Sequence, residues 1–162
     1  MAVTVLSPRA VLADLADSLR GHENAKVRKA VEDLDDAIGH TAWIDDATLG
    51  DRGKKVFDDL AKAAKDLRKE GLVEEAAVVA EQALIVSSRA VETAQGNVDD
   101  ADCAQLDCDR AQDELDKAWE DLARAEQALA AGDEDDAVKR ARKAWDRAEK
   151  AMDRLGDLDD DD

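Results

Sequence analysis

The sequence predicts an all-α fold: a bundle of about six helices, built as long antiparallel, Ala-rich, coiled-coil-like hairpins. Three observations lead there. Apolar and small residues recur in alternating steps of three and four along most of the chain, the spacing of one helix face. Gly followed by Asp or Asn punctuates these runs, as helix ends and starts require. One Pro, no Tyr and a single Phe in 162 residues leave little of the aromatic content that strands favour. A chain of this size buries about 70% of its extended surface on folding. We therefore expect one helical domain over 1–156, with an N-terminal hairpin at 7–39 and long helices over 48–155. Residues 157–162, "DLDDDD", read as an acidic disordered tail.

The first helix opens with Ser7 as N-cap and Pro8 at the first helical position. Val11, Leu12, Leu15, Ala16 and Leu19 form its stripe, and Gly21 ends it. The second carries Val27, Ala30, Val31, Leu34, Ala37 and Ile38 and closes at Gly39. "HTAWIDDATLG" is a connector in which Trp43 and Ile44 are expected to plug the core. The third helix begins near Thr48 or Asp51 and runs to Gly71, with Leu49, Val56, Leu60, Ala63 and Leu67 in heptad spacing and Gly53 in the vacant step. The fourth, about 72–95, is apolar around much of its circumference and is expected to be central.

"DADCAQLDCDR" holds both cysteines. Gly96 and Asn97 read as a helix end and a new cap. From there Ala101, Ala104, Cys108, Ala111, Leu115, Ala118, Leu122, Ala125 and Leu129 keep the three–four rhythm, which predicts one helix over about 98–131. Within such a helix Cys103 and Cys108 point roughly 140° apart, so neither a shared metal nor a disulfide is expected. Cys108 falls on the apolar stripe and Cys103 off it. Two cysteines without a recognisable signal peptide suggest reduced thiols. The sixth helix follows Gly132 and Asp133, with a seam of Ala137, Ala141, Ala144, Ala148, Ala151 and Leu155 flanked by Val138, Trp145 and Met152.

"GLVEEAAVVAEQAL" from Gly71 parallels "GDEDDAVKRARKAW" from Gly132: each has Ala five, nine and twelve residues after its Gly. "DLAKA" and "DLARA" precede them. This pattern of Gly132, Asp133, Ala137 and Ala144 resembles the turn and second helix of a tetratricopeptide repeat. The resemblance implies helical hairpins. The two Gly stand 61 residues apart, not a multiple of that family's period of about 34, and no peptide-binding residues are carried over.

The formal net charge is −18. The Asp-heavy, Lys-poor, Ala- and Val-rich style resembles the proteins of halophilic archaea, which implies a salt-rich cytoplasm. Acidity of this degree also suits an acidic mimic that occupies the nucleic-acid site of a partner. No apolar run is long enough to span a membrane. Nor does the sequence contain a phosphate loop, a dinucleotide-binding Gly cluster, a zinc-protease motif or a calcium loop. His22 and His40 flank the second helix, roughly 25 Å apart. No catalytic, cofactor-binding or metal-ligating residue is expected, and acidic pairs such as Asp35–Asp36 read as solvated surface. The third and sixth helices are net positive. Lys139, Arg140, Lys143, Arg147 and Lys150 are the candidates for docking an acidic partner. The alternative is intramolecular pairing with acidic neighbours. Aromatic stacking residues are missing from these faces, which argues against direct nucleic-acid binding.

The expected role is a non-catalytic scaffold or protein-interaction module, with the nucleic-acid mimic as the alternative. Alanine seams serve equally within a chain or between two copies, so homo-oligomerisation stays open. Self-repulsion at −18 is weakly screened in dilute buffer. Helical circular dichroism and the thermal midpoint should therefore rise from low to molar KCl. A midpoint unchanged over that range would remove the salt-adapted reading.

Overall fold

The computed structural model describes residues 7–156; the acidic run 157–162, expected to be disordered, lies outside them. The fold is an all-α bundle, 77% helical, with six helices and one small two-stranded ribbon among the described residues.

α1 (Pro8–Leu19) starts as the sequence predicts, with the Ser7 hydroxyl accepting from the Ala10 N–H at 3.2 Å. Asn24 caps α2 (Ala25–Ile38) by accepting from the Lys26 N–H at 2.9 Å. Leu12, Ala16 and Leu19 of α1 and Val27, Val31 and Leu34 of α2 are buried in the common core, and Arg20 clasps both oxygens of Asp35 at 3.0 Å. The connector is not irregular. It forms an antiparallel ribbon of β1 (Trp43–Asp45) and β2 (Thr48–Leu49). The Trp43 indole N–H donates to the Ala37 carbonyl at 2.7 Å, and the Arg9 guanidinium lies 5.7 Å from its ring centroid. Ile44 is 70% exposed, so the core-plug expectation fails there. Successive strand residues point to opposite faces, and Trp43 takes the inner one.

Because Thr48 and Leu49 join the ribbon, α3 starts later than expected, at Gly53, and runs to Lys69. α4 (Val73–Asp99) passes through Gly96 without stopping. A buried Val98 holds its last turn against the core. α5 spans Cys108–Ala130 and α6 Glu134–Gly156.

The largest correction is at the cysteines. No helix runs over 98–131; residues 100–107 form turns, and Cys103 and Cys108 are joined in a disulfide. Their Cα atoms are 5.4 Å apart, whereas five residues of α-helix would separate them by roughly 8–9 Å. Bridge and continuous helix therefore exclude each other. Aspartates supply the competing local structure. Asp102 accepts from the Ala104 N–H at 3.1 Å, and Asp107 caps α5 by accepting from the Arg110 N–H at 3.1 Å. The expectation of reduced thiols falls with the helix. At 23 residues, α5 is roughly 34 Å long rather than the 50 Å that a helix over 98–131 would span.

α3 to α6 form the bundle proper. α4 and α6 pack side by side, and their bonds fix the direction: Ser87 meets Ala141 and Asn97 meets Met152, so the two helices are parallel. α3 and α5 each pack on both and make little contact with one another, so they flank the pair; the α1–α2 hairpin covers α3 and α4. The predicted centrality of α4 holds, and α6 shares it. Gly71 and Gly132, the two echoing positions, end their helices in matching left-handed turns with φ of 81° and 80°. In each, the following N–H reaches back five residues, Leu72 to Leu67 and Asp133 to Ala128, both at 2.9 Å. This closure needs a residue without a Cβ at the turn.

The predicted alanine seam is buried: Ala118, Ala125, Ala137, Ala141, Ala144 and Ala151 are all inaccessible. Gly53 plays a second role. A Cβ there would lie 2.6 Å from the Trp145 ring and 2.9 Å from Leu49. Its bare backbone makes room for Trp145, whose ring lies 5.9 Å from that of Phe57. Overpacking costs about 1–3 kcal/mol, so urea melts should show Ala141→Leu and Gly53→Ala destabilised by that amount. Gly96→Ala, where the added atom meets nothing within 4 Å, should stabilise by about 0.5–1 kcal/mol. If all three variants melt together, the close approach is misplaced.

Candidate functional site

Four of the five candidate docking residues come together. Arg140, Lys143, Arg147 and Lys150 of α6 line one groove with Arg124 of α5, a polar depression of about 290 Å³ in which Asp121 and Asp146 are the acids. Lys139 lies apart from them. It lines a second groove, of about 340 Å³, with Lys55, Lys62 and Lys65 of α3 and Arg142. α6 thus presents cations toward both of its flanking helices.

The helical register explains this arrangement. The alanine seam brings the axes of α5 and α6 close, so long side chains next to the seam line its edges and extend to water. Arg124 was missed from the sequence. It stands beside the buried Ala125 on "DLARAEQ", a seam-flanking position of the kind that carries interhelical charges in coiled coils. The signal was present once α5 and α6 were paired.

Intramolecular pairing accounts for part of the positive charge. Arg147 meets Glu114 of α5 at 3.0 Å, Arg142 meets Asp58 of α3 at 2.7 Å, and Lys54 meets Asp146 at 3.1 Å. Lys139 and Arg140 lie 3.9 and 3.8 Å from Asp135 and Asp136, one turn back on their own helix. Arg68 in the last turn of α3 faces Asp133, Glu134 and Asp135 at the start of α6, with each charge at the helix end whose dipole favours it. Lys150 shares Asp146 at 3.3 Å. Burial pushes the Asp146 carboxyl up, but Lys54 and Lys150 outweigh it and hold that carboxyl below its usual range. Lys143 and Arg124 have no carboxylate within ion-pair distance among the described residues. These two leave the groove with positive charge to spare.

His22 and His40 each accept a backbone N–H two residues on, from Asn24 and Ala42. No group of three or more His, Cys, Asp or Glu among the described residues is arranged to hold a metal ion. None of the helices described is long and apolar enough to cross a membrane. Comparison with protein-family models, curated proteins and solved structures finds no match to this chain.

Two carboxylates on the α2–α3 contact are strained electrostatically. Asp33 and Asp59 each have one buried oxygen without a hydrogen-bond partner; the other Asp59 oxygen accepts from Lys55 at 2.9 Å. Burial pushes the Asp33 carboxyl up, and Asp59 and Asp66 add to that, against Lys29 and Lys62. A carboxyl raised on folding opposes stability above its folded pKa, and the penalty fades as pH falls through that value. Asp33→Asn should raise the thermal midpoint at neutral pH by about 2–4 °C. That gain should shrink as pH approaches the carboxylate range. A gain independent of pH would show that charge is not its cause.

Proposed function

We propose that this chain is a non-catalytic interaction module that docks an acidic partner surface along α6. The observation that carries this reading is the α5–α6 groove. Five cations line it, two of them without an ion-pair partner among the described residues, in a chain of net charge −18. Such a surface is a local concentration of positive charge on an otherwise acidic molecule, and it attracts negative charge. Three of its cations, Arg124, Arg140 and Arg147, are arginines, whose planar forks bind carboxylates two bonds at a time. Contact of that kind survives molar salt, where the Debye length is about 3 Å and long-range steering is lost.

The working environment proposed is salt-rich, on the strength of the acidic surface. Bridged cysteines such as Cys103–Cys108 are the form favoured by oxidising surroundings. The cytoplasmic placement therefore no longer draws support from the cysteines. The single strongly exposed aromatic, Trp119, donates its indole N–H to Gln95 of α4 at 3.2 Å. It lies outside the basic groove, so the groove offers charge without a stacking platform, a poor design for single-stranded nucleic acid.

Fluorescence anisotropy at constant KCl tests the reading, using a labelled acidic peptide and a labelled single-stranded oligonucleotide. The peptide should bind more tightly than the oligonucleotide. Arg124→Glu with Lys143→Glu should weaken the peptide by at least about tenfold, with the thermal midpoint held because neither residue has an ion-pair partner among the described residues. No peptide binding, or equal binding by the double variant, would sink the docking role.

A further inference from the structure

α4, α6 and the ribbon enclose a second kind of site. A hollow of about 130 Å³ lies where Leu49 of β2 approaches both helices. Its floor is apolar: Val86, Ala90 and Ala94 of α4 with Ala148 of α6. The alanines create the space, since larger side chains at these positions would fill it. Ala148 differs here from Ala141, which sits directly under Ser87. At the rim stands Glu149, half-buried and without a cation in ion-pair range among the described residues.

We propose that this hollow binds a small organic cation, a primary ammonium on an apolar body of four or five carbons, with the ammonium against Glu149. The size follows from the volume, because an engineered cavity of about 150 Å³ takes up benzene, six heavy atoms. The apolar floor accepts hydrocarbon, while the polar side chains of the lining are Thr48, Arg89, Thr93, Asn97 and Glu149. The sign of the charge follows from the rim. Glu149 is surrounded by further negative charge from Asp51, Asp146 and Asp153, and burial first, then these three acids, pushes its carboxyl up. Asp146 already has Lys54 and Lys150, and Glu149 is the carboxylate that lines the hollow. Arg89 of α4 also lines the hollow, but it is exposed, has a favourable interaction with Asp45 of the ribbon and is not among the charges that act on Glu149. A hollow with an apolar floor and a few polar groups at its edge, Glu149 among them, is the usual form of a small-ligand site.

The test is methyl NMR of the full chain in constant high KCl, with butylammonium and its neutral isostere n-butanol as probes. Butylammonium should shift the methyls of Leu49, Ala148 and Met152 saturably. Butanol should shift the same methyls but bind at least about tenfold more weakly, the margin of a charge-assisted hydrogen bond. Glu149→Gln, at a partly exposed position, should erase the difference between the two probes. Ala90→Leu should fill the hollow and abolish both sets of shifts. The proposal is overturned if butylammonium gives no saturable shift, if butanol binds equally, or if Glu149→Gln keeps the preference. Undiminished binding to Ala90→Leu would overturn it too. Glu149→Gln decides the matter even if Ala90→Leu does not fold.

Discussion

The bundle depends on how closely α4 and α6 approach. The Ser87 hydroxyl, fully buried, donates to the Ala141 carbonyl of the neighbouring helix at 2.6 Å. A backbone carbonyl keeps a second lone pair after its intrahelical bond, but a side chain reaches it only if nothing larger than a methyl group stands between. Ala137, Ala141, Ala144, Ala148 and Ala151 meet that condition along α6. The two helices are parallel, so the chain must return between them, and α5 is that return. Its length and the tight turn at Gly132 are therefore set by the central pair. The antiparallel neighbours α3 and α5 also offset the dipoles that a parallel pair aligns.

A seam of alanines buries little apolar area per residue, and burial contributes only about 25 cal/mol per Å². The bulk therefore comes from the margins. Trp145 and Phe57 fill the α3–α6 side, and Leu67, Leu115 and Val138 are among the largest side chains that are fully enclosed. Gly53 is the point where the two requirements meet. α3 must come close enough for Trp145 to be covered, and only a residue without a Cβ allows it. Here a glycine near a helix start serves packing rather than backbone conformation.

The helices were legible because their causes are local. Ser7, Pro8 and the left-handed Gly71 and Gly132 act within a few residues, and a buried stripe repeats along each segment. What escaped was decided at longer range or by competition. The three–four rhythm continues through Ala101, Ala104 and Cys108, so periodicity alone could not show that Asp102, Asp107 and the Cys103–Cys108 bridge prevail there. Gly96 looked like a stop, but its turn is held by Val98, whose partners lie on other helices. The ribbon at Trp43–Leu49 is too short for any alternation to register. Among the functional residues, the α6 cations were readable as a cluster, whereas Arg124 and Glu149 acquire meaning only once α5, α4 and the ribbon are placed around α6.

The distribution of charge follows from the same geometry. Close helices push long side chains to the edges of the seam, where cations of α6 meet acids of α3 and α5: Arg142 with Asp58, Arg147 with Glu114. Each exposed pair contributes about 0–1 kcal/mol at most, so these contacts orient the helices more than they hold them. What matters is the remainder. Once partners among the described residues are assigned, Lys143 of α6 and Arg124 of α5 are left at one depression of the surface and Glu149 of α6 at another. The close approach that buries the alanines of α6 thus also sets these charges at the edges of its seams, where they face water.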